Sequence, residues 1–141
     1  MLALAAGCGG SAAQPSAETG STPPSSTHAD PQRGTINVTQ RGAAAPKTMW
    51  FVRIESPDSK PLAEAGFPDR PVSFSRDLPT GQYRVIAWQR PCGGPCQAAG
   101  EKGLGPLDDV CGAVVSVTSG RPVNAVVQIS TDGGCTIATR P

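Results

Sequence analysis

Four cysteines in the second half of the chain, Cys92, Cys96, Cys111 and Cys135, are the side chains best suited to covalent chemistry. Such a set either oxidises in pairs or holds a metal. The Cys92-x3-Cys96 spacing suits two zinc ligands, but Cys111 and Cys135 lie far apart and supply no second short-spaced pair. Redox exchange favours Cys-x-x-Cys, and here the spacing is longer and Pro95 stiffens the loop. Disulfides are the better reading, and four cysteines allow three pairings. The remaining polar chemistry is sparse. The single histidine, His28, precedes every strand pattern, so no Ser-His-Asp or Cys-His arrangement can form in the patterned part. Asp108-Asp109, with Asp132, offers oxygens for a weak calcium site, but no Asp-x-Asp-x-Asp-Gly loop is present and a solvated loop explains them more simply. Gly93-Gly94 and Gly103-Leu104-Gly105 precede no helix pattern, so they do not read as phosphate cradles. These residues imply no enzyme, no catalytic residue, no metal and no cofactor.

Aromatic and cationic side chains give a second set. Trp50, Phe51 and Trp88 would make a carbohydrate platform if Trp50 and Trp88 stood exposed and coplanar; as core and edge residues they need no ligand. Arg84 and Arg90 flank Trp88, a pattern that cation–π packing on a strand face accounts for. Asn37-Val38-Thr39 fits a glycosylation sequon but lies within a strand pattern.

The elements that must position these residues are strands. Asp77-Leu78-Pro79-Thr80-Gly81 reads as a turn, with Pro79 presetting φ and Gly81 tolerating a reversal. Gln82 to Trp88 then alternates, placing Tyr83, Val85 and Ala87 on one face and Arg84, Ile86 and Trp88 on the other. The first is the core face; the second is charged at one end and apolar beyond, so its far end should be covered. Pro91 ends the ladder. Thr35–Thr39, Met49–Ile54, Val72–Ser75, Ala113–Thr118, Val123–Ile129 and Cys135–Thr139 alternate in the same way. Turn signals at Ser119-Gly120-Arg121-Pro122 and Thr131-Asp132-Gly133-Gly134 separate the last three. Glu55–Pro71, with three prolines before its last residue, reads as loop, with one turn of helix at Leu62–Gly66. The sum is an all-β fold, a seven-strand antiparallel β-sandwich over residues 34–141.

The 141-residue length allows one domain, and the net charge of +1 leaves no footprint for nucleic acid. Residues 9–33 contain no Val, Ile, Leu, Met or aromatic side chain, so they cannot bury enough apolar area to offset chain entropy and read as a disordered linker. Before them, residues 1–8 resemble the end of a bacterial lipoprotein signal, where small residues precede a cysteine that becomes lipidated, here Cys8. The apolar run is shorter than the ~7–15 residues of a signal core, so an upstream start is expected. The resemblance implies palmitate-type lipid on Cys8 and an extracytoplasmic, membrane-anchored bacterial protein.

Leu78-Pro79-x-Gly81-x-Tyr83-x-Val85 resembles the start of the corresponding strand in transthyretin-like and carboxypeptidase-regulatory-like β-sandwiches. That implies a transthyretin-like or immunoglobulin-like sandwich but not hydrolase activity, which in that group depends on histidines. Gln89-Arg90-Pro91-Cys92-Gly93-Gly94-Pro95-Cys96, then Leu107-Asp108, Cys111 and Gly134-Cys135-Thr136-Ile137, resembles uncharacterised secreted actinobacterial lipoproteins with a Gln-Arg-Pro-Cys-x-Gly-x-Cys motif. Against that pattern Gln97–Pro106 is inserted. With Cys8 set aside for lipid, the preferred pairing is Cys96–Cys111, closing the insertion, with Cys92–Cys135; the alternative is Cys92–Cys96 with Cys111–Cys135. The functional expectation is a non-enzymatic surface lipoprotein that binds an envelope or surface protein. Recognition would lie in the long loop from Gly93 to Val110, which carries Gly93, Gly94, Leu104, Asp108 and Asp109. A carbohydrate-binding module for cell-envelope glycan is the alternative.

Overall fold

A computed structural model describes residues 32–130 and 134–141. Eight strands run β1 (Arg33–Arg41), β2 (Thr48–Glu55), β3 (Pro61–Pro68), β4 (Ser73–Pro79), β5 (Gly81–Pro91), β6 (Asp108–Val117), β7 (Val123–Ile129) and β8 (Cys135–Arg140). They form two four-stranded sheets, β4-β1-β7-β8 and β3-β2-β5-β6. The alternation dictates this. Ile36 and Val38 on β1, Trp50, Val52 and Ile54 on β2, Val85 and Ala87 on β5, and Ala125 and Val127 on β7 are fully buried between the sheets. Tyr83 joins that core, and its hydroxyl donates to the Pro79 carbonyl at 2.8 Å, which pins the turn ahead of β5.

The fold departs from the sequence expectation in two details. The described residues form eight strands, not seven, because Pro61–Pro68 pairs antiparallel with β2 from Met49–Pro68 to Glu55–Pro61. The prolines that signal a loop sit at the two ends of an outermost strand, where proline costs least. The helical turn at Leu62–Gly66 is replaced by this strand. Second, β1 and β7 are parallel, Ile36 opposite Val123 through Arg41 opposite Gln128, within otherwise antiparallel sheets.

The disulfides are Cys92–Cys96 and Cys111–Cys135, with Cα separations of 5.4 and 5.5 Å. The preferred pairing of Cys96 with Cys111 and Cys92 with Cys135 is therefore corrected. Cys111 lies opposite Ala87 on the inner face of β6, where it meets the first residue of β8 from the other sheet. Cys92 lies past the end of β5, and Gly93-Gly94-Pro95 turns the chain straight back to Cys96. The insertion is closed by backbone instead. Gly93 N–H donates to the Gly103 carbonyl at 2.9 Å and Gly105 N–H to the Pro91 carbonyl at 2.7 Å. Cys8 and nearly all of the expected linker lie outside the described residues.

Candidate functional site

The two outer faces of the sandwich differ in kind. On the β4-β1-β7-β8 sheet, Ser75 donates to Asn37, Asn37 to Asn124, and Thr35 to Asp77, with Thr39, Ser73 and Gln128 alongside. Its outward apolar side chains are Val126 and Ala138, paired on β7 and β8. On the β3-β2-β5-β6 sheet, the outward positions are Phe51 and Arg53 on β2, Arg84, Ile86 and Trp88 on β5, and Val110, Gly112 and Val114 on β6. Three side chains of this region, Leu107, Val110 and Val114, are 60–63% exposed.

These side chains make one depression running along β5. Its larger part, about 460 Å³, is floored by Phe51, Ile86 and Trp88 and walled by Leu107 and Val110. A shallower extension of about 370 Å³ continues over Ile86, Gly112 and Val114. Phe51 and Trp88 are cross-strand partners whose rings stack at 5.3 Å and 8°.

The cations around the floor are already paired. Arg53 reaches Glu64 at 2.6 Å and lies 5.1 Å from the centre of the Trp88 ring. Glu55, buried at the end of β2, has Arg53 at 3.7 Å and Arg84 at 3.9 Å. Thus the cation over Trp88 is Arg53 from the neighbouring strand, not Arg84 or Arg90 as the sequence led us to expect. With each guanidinium facing a carboxylate, the groove suits an apolar, uncharged surface more than an anion.

Arg90 builds the wall. From β5 it donates to the Gly105 carbonyl at 2.7 Å, to the Leu104 carbonyl at 3.2 Å and to Glu101 at 2.9 Å. This holds the insertion, with its single-turn 3₁₀ helices Cys96–Ala98 and Glu101–Gly103, against the sheet and brings Glu101 and Leu107 to the groove. A Cβ on Gly105 would come within 2.6 Å of Pro91, so the approach requires glycine there. The expected cover over the far end of β5 is this wall.

The residues proposed from sequence do not form one site. Gly93 and Leu104 line a separate crevice beside Pro91 and Lys102, and Gly94 points into open space. Asp108 accepts the Asp109 N–H at 3.0 Å. Asp109 accepts from the Gln89 amide on one oxygen and from Gly134 N–H at 2.8 Å on the other. Its carboxylate therefore ties β5, β6 and the start of β8 together and has little left for calcium; Asp132 lies outside the described residues. Trp50 is 0% exposed, which removes it from any aromatic platform. Its alternation with Val52 and Ile54 places it inward, in the core. Trp88 remains, but packed on Phe51. Leu107 and Val110 lie within the Gly93–Val110 loop expected to carry recognition but were not singled out there; as isolated apolar residues beside Asp108-Asp109 they gave no local sign that they would line a groove.

No family model matches the chain, and no curated protein does. Two solved structures overlay on it weakly. One, described as a Gram-negative toxin, is 11% identical over 78% of this chain and 23% of its own, with a TM-score of 0.26. The other, the human-specific toxin intermedilysin, is 10% identical over 77% of this chain and 24% of its own, with a TM-score of 0.25. The chain spans about a quarter of the length of each, and likeness this low carries no argument. Away from the groove, between β2 and β3, the Ser56 hydroxyl donates to the Asp58 carboxylate and holds it below its usual range.

Proposed function

We propose that this is a non-enzymatic binding domain of a lipid-anchored bacterial surface protein. It takes a protein partner in the envelope through the groove on the β3-β2-β5-β6 sheet. The observation that carries the reading is the contrast between the faces: one is a polar hydrogen-bonded surface, the other an apolar floor with exposed Leu107 and Val110. Contiguous exposed apolar surface on a domain with its own buried core marks an interaction site. Rigid strands supply the floor and a loop held by Arg90 and two backbone bonds the wall, the usual division between scaffold and recognition. A glycan platform is not favoured, because Trp50 is in the core. The anchor rests on the sequence around Cys8.

The test is site-specific photocrosslinking in a bacterial host that secretes the upstream-extended chain. A photoreactive residue replacing Leu107 should trap a discrete protein adduct, and one replacing Thr39 on the opposite face should not. Adding Trp88→Ser should abolish the Leu107 adduct while the protein stays folded. Equal adducts from both faces, or none from Leu107, would reject the groove. Intact mass of the same protein should show a diacylglyceryl group on Cys8, and an unmodified Cys8 would remove the anchor.

A further inference from the structure

Each sheet has two outermost strands, β4 and β8 in one, β3 and β6 in the other. An outermost strand presents unpaired backbone groups, and natural proteins blunt such strands with charge, proline or shortness. β3 starts and ends with proline and carries Glu64. β4 carries Arg76 and Asp77 and ends in Pro79. β8 has six residues and ends at Arg140 before Pro141. β6 has ten residues, and from Val110 to Val117 it contains neither charge nor proline. Among the described residues it pairs with β5 alone.

The sequence of this open strand is also symmetric. Val110, Gly112 and Val114 face outward in alternation, with the two valines 60% and 63% exposed. We propose that the chain forms a two-fold dimer by antiparallel pairing of β6 with β6 of a second copy, centred on Gly112. In that register Val110 of each copy opposes Val114 of the other, so one operation gives each exposed valine an apolar cross-strand neighbour while the groove face stays open. Gly112 meets Gly112 on the axis, where the lack of side chains lets the backbones close. This is the self-complementarity that a two-fold interface requires.

The charges agree with the direction. The exposed Asp108 begins β6, and Thr118 just beyond its end bridges to the exposed Arg121. Antiparallel pairing brings the acidic end of one copy beside the basic end of the other. Parallel pairing would set Asp108 against Asp108, and like charges opposite one another are destabilising. The chain's own leading segment is a poor occupant: residues 9–33 have no Val, Ile, Leu, Met or aromatic side chain to cover the valines. A single strand pair is smaller than a standard interface of about 800 Å² per partner, so the dimer is weak in dilute solution and favoured where copies are concentrated on one surface. Pairing joins the two sheets into one of eight strands and sets the two grooves side by side.

The experiment is sedimentation equilibrium of the full chain carrying Cys8→Ser, which prevents adventitious thiol crosslinks. The mass should rise from monomer to dimer with concentration. Val110→Lys with Val114→Lys should raise the dissociation constant at least about tenfold, since lysines then oppose lysines. Val110→Lys with Val114→Glu should restore dimerisation, because each introduced lysine then faces a glutamate. Gly112→Cys tests the register without charge; its Cβ has room, 3.4 Å from the Val85 carbonyl oxygen. It should oxidise to a covalent dimer, and Val114→Cys alone should not, being four positions out of register with itself. A monomer at every concentration, equal behaviour of the two double variants in folded protein, or crosslinking by Val114→Cys in place of Gly112→Cys would each overturn the proposal.

Discussion

Arg90 is the residue on which the groove's wall depends. Its guanidinium is mostly covered and makes three contacts with one loop, to Glu101, Leu104 and Gly105. Two of these go to backbone carbonyls, those of Leu104 and Gly105. The two bonds from the charged donor to backbone carbonyls are worth about 1.5–3 kcal/mol each and the pair with the exposed Glu101 no more than about 1 kcal/mol, but much of that is loop ordering that global unfolding does not report. We therefore expect Arg90→Ala to act locally. Limited proteolysis should cut within residues 97–106 of the variant well before the parent, while the thermal midpoint falls by only a few degrees. A loop that stays equally resistant would show that Cys92–Cys96 and the Gly93–Gly103 and Gly105–Pro91 backbone bonds hold it alone. Arg53 has a different task. It is shared between Glu64, Glu55 and the Trp88 ring, so it neutralises the floor and does not shape the wall.

At the scale of elements, the two disulfides do unequal work. Cys111–Cys135 closes a 24-residue separation and joins the edge of one sheet to the edge of the other, while Cys92–Cys96 spans four residues within one loop. By the loop-entropy relation the first is worth about 3.5 kcal/mol and the second about 2 kcal/mol. Removing Cys111–Cys135 by paired alanine substitutions should therefore cost about 1.5 kcal/mol more in denaturant unfolding than removing Cys92–Cys96. Equal costs would mean that the reduced chain keeps residual structure around β6 and β8. In sequence this pairing stood only as the alternative, because the choice depends on which strands become neighbours, and alternation fixes a strand's two faces but not its companions. The inward faces of β1, β2, β5 and β7 were legible for the same reason, since Ile36, Trp50, Val85 and Val127 each sit in a period of two. β3 was illegible because its Ala, Gly and Pro residues have no strand signature; it exists because β2 offers an open side. The groove was half legible. Ile86 and Trp88 made the second face of β5 too apolar for plain solvent, but nothing local said that Leu107 and Glu101 would return to flank it.

At the scale of the molecule, the two sheets must meet closely enough for Trp50 and Val127 to share one buried core. They are joined at one end by Cys111–Cys135 and at the other by an approach in which backbone meets backbone. There Gly34 on β1 lies against Thr118 just past β6, so near that a Cβ on Gly34 would come within 2.2 Å of the Thr118 carbonyl oxygen and 2.9 Å of a Val117 methyl. The oxygen belongs to main chain and cannot swing away as a side-chain tip would. Gly34→Ala must instead push the start of β1 away from the end of β6, and interiors packed at crystal density transmit such shifts. We expect a loss of about 1–3 kcal/mol, as for overpacked cores. The loss should appear as one cooperative transition, with tryptophan fluorescence, from the buried Trp50 and from Trp88, and far-ultraviolet circular dichroism moving together. Gly94→Ala supplies the control, because nothing lies within 4 Å of its Cβ direction. It should change stability by no more than about 0.5 kcal/mol, the range of ordinary surface substitutions. A Gly34→Ala protein as stable as the parent would mean that the sheets slide past one another freely. The disulfide at the far end would then be the main tether between them.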